Sequence, residues 1–354
     1  MFVRMNEARR MRKINMQHHK RVEIEPFTPH WTLTNPHAQT LAGSFLRPDM
    51  GAIFRRERLS TPDGDFIDLD YVDFPFATWQ QLGEDAPIVL HIHGLGGNAR
   101  STMAQQIYYT LSQRGVRCVG MNLRSASGET NLTARKYHGG SSDDLQFVHE
   151  TLHVRYSNVP IALIGISLGA NILLKYLGEQ GERLQDSVAA AVAISPPFDF
   201  MKGKYTMSRG LGLGYTQQLL RGIRADLMQH PERYEGIKGV QLDKALGART
   251  LHEFDDYFTA PVHGFENHLD YYMTVASKNY VHNVRIPTLI LRAVDDPFFD
   301  PTDIPYALIQ RNPFLYAGIV EHGGHVGFVE GSAYGGQHQF WAERQTANFL
   351  SWVI

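Results

Sequence analysis

From residue 86 onward the chain alternates short apolar runs with longer amphipathic ones. "PIVLHIHG" (87–94), "VRCVGMNL" (116–123), "VPIALIGI" (159–166), "SVAAAVAISPP" (187–197), "RIPTLILRAV" (285–294) and "FLYAGIVEH" (314–322) read as strands. Between them, "RSTMAQQIYYTLSQRG" (100–115), "SSDDLQFVHETLHVRY" (141–156) and "LGANILLKYLGEQG" (168–181) have helical spacing. Ser141 and Ser142 supply capping residues for the second helix, and Gly181 a stop for the third. The chain closes on a helix, "QFWAERQTANFLSWVI". Strands with little period-2 alternation, separated by helices, predict an α/β fold whose mostly parallel sheet is covered on both faces. Ligands of such sheets bind beyond the carboxyl ends of the strands.

Two regions break this rhythm. Residues 53–73, "IFRRERLSTPDGDFIDLDYVD", read as two strands around a Pro-Asp-Gly turn, an antiparallel edge. Residues 198–283, richer in glycine, aromatics and mixed charge, predict a helical cap inserted over the sheet. The expected organisation is a basic tail over 1–29, a core over 30–197 and 284–354, and the 198–283 cap. The cap aromatics Phe254, Tyr257, Phe258, Phe265, Tyr271 and Tyr272 are expected to pack the cap on the sheet rather than to line a pocket.

Composition changes this picture little. The chain has 354 residues, 43% hydrophobic and 20% charged, enough for a large core. A net charge of −2 gives no general pull toward nucleic acid. The single cysteine, Cys118, excludes an internal disulfide and fits a reducing compartment. It lies in an apolar run, as a buried, inert thiol does. No run reaches the roughly 18 apolar residues of a membrane span, and no signal peptide is visible. A cytoplasmic protein is therefore expected. The basic leader, with alternative starts at Met5, Met11 and Met16, reads as a surface tail in preference to a peripheral anchor on anionic lipid.

The chemistry centres on Gly165-Ile166-Ser167-Leu168-Gly169, a G-x-S-x-G pattern between a strand and a helix. Such an elbow strains the serine backbone and brings the flanking positions together, so both must be small. A serine hydroxyl needs a base at neutral pH, and the base needs an orienting acid. In this arrangement they follow in the order serine, acid, histidine. "DDPFF" follows one late strand and "EHGGHVGF" the next. Asp296, before proline and deeper in its loop, is preferred as the acid, with Asp295 a helper. His325, in a Gly-Gly-His loop, is preferred over His322 as the base.

"HIHGLGGN" (91–98) offers a glycine-rich loop whose backbone can meet an oxyanion. The Leu95 and Leu168 N–H groups are the expected donors. His91 and His93 also resemble one strand of a metallohydrolase, but no H-x-H-x-D-H continuation or nearby carboxylate accompanies them. A phosphate loop would need a Lys-Ser/Thr ending that is missing. Neither a metal nor an organic cofactor is expected.

These residues resemble an α/β-hydrolase, and specifically the YheT-like branch of that superfamily, over nearly the whole chain from about His30. The stretches that carry the resemblance are "NPHAQT" (35–40), "NLRSASGETNLTARKYHGGSSDDL" (122–145), "FDDYFTAPVHGFENHLDYYMTVAS" (254–277) and the "AVDDPFF…HGGHVGF" pair. Arg124-Ser125-Ala126 stands where the branch often has Arg-Gly-Cys, and Ala170 where it often has a second glycine. The resemblance implies a charge relay on Ser167, His325 and Asp296 and hydrolysis of small-molecule carboxylic esters, short-chain or acylglycerol-like. Thioester or amide hydrolysis and acyl transfer use the same triad. A non-catalytic binding scaffold usually lacks a triad member, and none is missing here. His37, Tyr137 and His138 stand either near the serine or, as preferred here, in hydrogen bonds that tie down the N-terminal arm.

Overall fold

A computed structural model describes residues 23–331 and 338–354; residues 1–22 of the basic tail, with Met5, Met11 and Met16, lie outside the described residues. Eight strands form one sheet: β1 (Ile53–Ser60), β2 (Phe66–Asp73), β3 (Ile88–Ile92), β4 (Arg117–Asn122), β5 (Ile161–Ile166), β6 (Ala190–Ile194), β7 (Thr288–Ala293) and β8 (Leu315–Val320). Their order is β1-β2-β4-β3-β5-β6-β7-β8. β1 pairs antiparallel with β2, and β2 with β4, while every later pair is parallel. β3 to β7 are buried at every position, which is why their sequences run apolar without alternation.

The faces are covered by α1 (Pro36–Phe45), α2 (Thr102–Ser112), α3 (Ser142–Arg155), α4 (Leu168–Gln180), α5 (Phe200–Thr206), α6 (Gly210–Leu227), α7 (His268–Val275), α8 (Tyr306–Arg311) and α9 (Trp341–Val353). Leu145, Val148 and Leu152 of α3 and Ile172, Leu173 and Tyr176 of α4 fill one side of the core. Ile107, Tyr108 and Leu111 of α2 with Trp341, Phe349 and Leu350 of α9 fill the other. Burying such a large aliphatic or aromatic side chain contributes about 1.5–3 kcal/mol.

β2 departs from the apolar rule, because Asp68 and Asp70 are buried. Each meets an arginine from the facing strand: Arg58 Nε donates to Asp68 Oδ1 at 2.8 Å and Arg56 Nη2 to Asp70 Oδ2 at 2.8 Å. The antiparallel register, Arg58 opposite Asp68 and Arg56 opposite Asp70, makes these cross-strand pairs.

Three local features differ from the sequence expectation. Ser141 does not cap α3; its Oγ accepts the His138 N–H at 3.0 Å instead. The stretch "PHAQTLAGSF", for which no element was predicted, is α1, capped by Asn35 Oδ1 on the His37 and Ala38 N–H groups. Gln339–Phe340, expected as the start of α9, is strand β10, paired antiparallel with β9 (Val329–Glu330). Gly181 does end α4, with a positive φ of 54°.

Between β6 and β7, α5, α6, α7 and shorter turns carry the chain over the carboxyl ends of the strands. They hold a cluster of their own around Leu220, Leu227, Tyr234, Phe254 and Phe258. Polar ties fasten this segment to the core, two of them well inside the fold. Lys136 Nζ lies 2.6 Å from Asp226 Oδ2 on α6. Asn171 of α4 donates to Gly139 O and Val275 O and accepts the Ser277 N–H at 2.8 Å. Among the described residues no helix is long and apolar enough to cross a membrane.

Candidate active site

Ser167 joins β5 to α4 with φ 52° and ψ −119°, a left-handed conformation that costs about 1–3 kcal/mol in a non-glycine residue. The surroundings enforce it. A Cβ on Gly165 would lie 2.5 Å from Gly169 O and 2.7 Å from the Ala170 Cα, and one on Gly169 would collide with the carbonyls of Ile92 and His93. The Ser167 N–H is held by Ile194 O at 2.8 Å, so the turn is anchored to the neighbouring strand.

The strained turn presents Ser167 Oγ 2.9 Å from His325 Nε2, and His325 Nδ1 lies 2.7 Å from Asp296 Oδ2. Asp296 accepts, so Nδ1 carries the proton and Nε2 is left as the acceptor of the serine hydroxyl. Asp296 is further held by the Phe298 N–H, which donates to Oδ1 at 2.8 Å, and by Arg292 Nη1 on Oδ2. His325 is buried, and its ring stacks on Phe298 with centroids 4.1 Å apart and planes 15° apart. Burial, with Arg292 adding to it, holds the imidazole well below its ordinary pKa and hence neutral.

The two aspartates separate cleanly. Asp295 does not touch His325. Its Oδ1 accepts the Gly324 N–H at 2.9 Å and its Oδ2 faces His322 Nδ1 at 3.2 Å, so it shapes the loop that carries His325. His322 is exposed, and its Nδ1 faces Asp295.

The loop after β3 packs directly on the serine: a Cβ on Gly94 would lie 3.0 Å from Ser167 Cβ. Its backbone is fixed by three bonds. Gly97 N–H donates to Gly94 O at 3.1 Å, Gly96 N–H donates to the Tyr137 hydroxyl at 2.9 Å, and His93 Nδ1–H donates to Gly94 O at 2.7 Å. The Leu95 N–H takes no part in these bonds, and the Leu168 N–H, first in α4, has no intrahelical acceptor.

His93 is committed elsewhere. Nε2 accepts the Leu123 N–H at 3.0 Å while Nδ1 donates to Gly94, and burial pushes the ring down to about 4. His91 pairs with the Tyr108 hydroxyl at 2.8 Å. Both histidines serve the backbone and core of this loop.

His37, on the first turn of α1, meets the Tyr215 hydroxyl of α6 at 3.2 Å and links the N-terminal helix to the cap. Tyr137 props the Gly94–Gly97 loop. His138 Nδ1 accepts the Gly140 N–H, and its ring packs 4.1 Å from that of His263 in the cap. None of the three touches Ser167, His325 or Asp296.

Several residues that sequence reasoning left without a role hold the site together. Thr40 Oγ1 accepts the His325 N–H at 2.9 Å, and Gln39 makes a paired bond with the Val329 backbone. Arg47, paired with Glu343, donates to the carbonyls of Val326 and Gly327. The "NPHAQT" stretch is thus the brace of the histidine loop. Phe298 is gripped by the cap through Tyr215, centroids 5.0 Å apart, and Thr206 Oγ1 on its carbonyl at 2.5 Å. Arg292 did leave a sign in the sequence, a cation inside the buried run "TLILRA".

A cavity of about 470 Å³ reaches from Leu95 and Leu168 to Ile223, Leu227, Phe254 and Phe258 of the cap. Phe254, Phe258, Tyr271 and Tyr272 line it, whereas Tyr257 and Phe265 do not. Four of the cap aromatics therefore face a cavity as well as packing the cap, contrary to the expectation of packing alone.

Known proteins resemble this chain in sequence and in fold. Residues 87–332 match the model of the alpha/beta hydrolase fold family. The chain is 32% identical to the Escherichia coli (strain K12) protein named "Putative esterase YheT", over 92% of this chain and 93% of that one. It is 29% identical to human phospholipase ABHD3, over 89% of this chain and 76% of that one. In three dimensions it is similar to the Pyrococcus furiosus esterase Pf2001, with a TM-score of 0.53 at 15% identity, covering 94% of this chain and 99% of that one, a likeness of fold. The chain belongs to the alpha/beta hydrolase family, in its YheT-like branch.

Proposed function

We propose that the protein is a serine hydrolase that cleaves carboxylic esters, short-chain or acylglycerol-like, through an acyl-enzyme. The observation that carries this is the unbroken run from Ser167 Oγ to His325 Nε2 at 2.9 Å and from His325 Nδ1 to Asp296 Oδ2 at 2.7 Å, starting from a strained elbow. Relatives named as an esterase and a phospholipase support an ester as the bond cleaved.

In the reaction Ser167 Oγ attacks the ester carbonyl while its proton passes to His325 Nε2. The imidazolium that forms is stabilised by Asp296, which also keeps the ring in the reactive tautomer. The tetrahedral oxyanion takes hydrogen bonds from the Leu95 and Leu168 N–H groups, each donor contributing about 3–4 kcal/mol to the transition state. His325 returns its proton to the leaving alcohol. Water then attacks the acyl-enzyme by the same steps and releases the acid and free Ser167. The chain supplies every group in this cycle, and the proposal includes no metal or organic cofactor.

The cap over 198–283 acts as a lid that sets substrate size, and the cavity beneath it takes the acyl chain. Labelling with a fluorophosphonate tests the core of the proposal: wild type reacts and Ser167→Ala does not. A folded wild type that resists labelling and hydrolyses no ester refutes it. A panel of ester, thioester and amide substrates fixes the bond type. Ile223→Trp, which fills the cavity, should shift preference toward shorter acyl chains, and an unchanged profile refutes the lid's role.

A further inference from the structure

Behind the triad lies a second acid that the mechanism above does not use. Arg292, near the end of β7, is fully buried, and its Nη1 donates to Asp296 Oδ2, the oxygen that also accepts His325 Nδ1–H. Its Nη2 donates to Asp303 Oδ1 at 3.3 Å. Asp303 closes the short turn Pro301–Asp303, its side chain fully buried, and its Oδ2 makes no well-formed hydrogen bond. Asp303, Arg292, Asp296, His325 and Ser167 thus form one continuous polar chain sealed from solvent on the Asp303 side.

Resting on the triad reading, we propose that Asp303 is a positioning residue that, through Arg292, supplies the second negative charge needed when His325 becomes an imidazolium. The charges argue for it. With His325 neutral, Arg292, Asp296 and Asp303 sum to −1. When His325 takes the serine proton the set becomes neutral. With Asp303 protonated the imidazolium and Arg292, two buried cations, share the single carboxylate of Asp296, which raises the barrier to forming the imidazolium.

The groups facing Asp303 place its titration in a useful range. Burial and the Asp199 carboxylate, itself paired with Lys278, oppose its charge, while Arg292 and the Phe198 backbone favour it. Tyr306 of α8 also lies within its field. The balance pushes the carboxyl up to about 6. His325 faces Asp296, Ser167 and, across the shared carboxylate, Arg292, and burial and Arg292 push its pKa down. Asp303→Asn separates the two groups, because a limb set by Asp303 disappears with the carboxylate whereas one set by the imidazole stays. A second rival to Asp303, beside the imidazole, is Asp255, in the cavity wall and bonded by Tyr272, which is also pushed up to about 6 by burial.

The test is the pH profile of kcat/KM on a short-chain p-nitrophenyl ester from pH 4.5 to 8.5, with fluorophosphonate labelling at pH 8 alongside. Wild type should show an acid limb near 6. Asp303→Asn should label at Ser167, lose on the order of ten-fold in kcat at pH 8 with little change in KM, and lose the limb. Arg292→Met combined with Asp303→Leu, which removes the buried pair together, should recover much of that rate and still lack the limb. A wild type without a limb between pH 5 and 7 overturns the inference. So does an Asp303→Asn or double variant that keeps the limb, which would assign it to His325 or Asp255. A wild type that neither labels nor hydrolyses overturns the triad itself, a separable outcome.

Discussion

Replacing Asp296 by asparagine removes one charge and one acceptor atom at a point where three donors converge. Phe298 N–H approaches Oδ1, while His325 Nδ1–H and Arg292 Nη1 share Oδ2. An asparagine has only one oxygen for these two sides. If the oxygen faces His325, the amide NH2 meets the Phe298 N–H, and an unsatisfied buried donor costs about 1–3 kcal/mol. If the NH2 faces His325, the imidazole must adopt the other tautomer. Nε2 then carries the proton and no longer accepts from Ser167. Either orientation also removes the anion that stabilises the imidazolium. The expected loss in kcat/KM is roughly 10³–10⁴-fold, or about 4–5.5 kcal/mol of transition-state stabilisation. Asp295→Asn is the control, because it retains an acceptor for the Gly324 N–H and weakens only the contact to exposed His322. It should lose less than about ten-fold, the equivalent of one hydrogen bond. Steady-state hydrolysis of a p-nitrophenyl ester by folded variants, matched by circular dichroism and Tm, measures both. A loss below ten-fold in Asp296→Asn, or a larger loss in Asp295→Asn than in Asp296→Asn, would refute the assignment of the acid.

Other consequences of the structure are open to direct measurement. Tyr137→Phe removes the acceptor of the Gly96 N–H and loosens the loop that presents Leu95, so kcat should fall about ten-fold with KM little changed; a fall in KM alone would contradict the oxyanion role. Cys118 is buried, and burial pushes its thiol up to about 12, so a thiol reagent should fail to modify the native protein and react fully in denaturant. Burial works against the charge of Asp70, but Arg56, Arg100 and Asn122 outweigh it and hold the carboxyl at about 2. A depressed folded-state pKa stabilises the fold above the unfolded carboxyl's value near 4 and loses that stability as pH falls toward 2. Asp70→Asn should therefore flatten the acid-unfolding curve between about pH 4 and 2, by ~2 kcal/mol of pH-dependent stability. An unchanged slope would place the acid sensitivity elsewhere.

The parts of the site legible in the sequence were those encoded by local pattern. Ser167 is flanked by glycines because its strained turn leaves no room for a Cβ, and that requirement falls within five consecutive residues. Asp296 and His325 each follow an apolar strand, and the strand order places both at the same sheet edge. Asp296 could be preferred over Asp295 from its place before proline, but the contacts that separate them come from residues 27 to 29 positions away. Tyr137 was read as a tie for the N-terminal arm. It bonds instead to the loop beside Ser167, 41 positions away, and no periodicity carries that information.

By itself, the sequence determined the alternation of strands and helices, the antiparallel hairpin at the sheet edge, the nucleophile turn and the candidate triad. The strands follow from continuous apolar runs, the helices from a spacing of about 3.6 residues, the nucleophile from a steric rule within one turn, and the triad from the order of its members after successive strands. The tertiary structure alone decided how buried polar groups are satisfied. Thr40 holds His325 from 285 positions away, the cap grips Phe298, and Asp303 faces the triad through Arg292. The reason is physical. Apolar burial is non-directional and shows as pattern, whereas a buried hydrogen bond needs one particular partner, and folding brings that partner from a distant part of the chain.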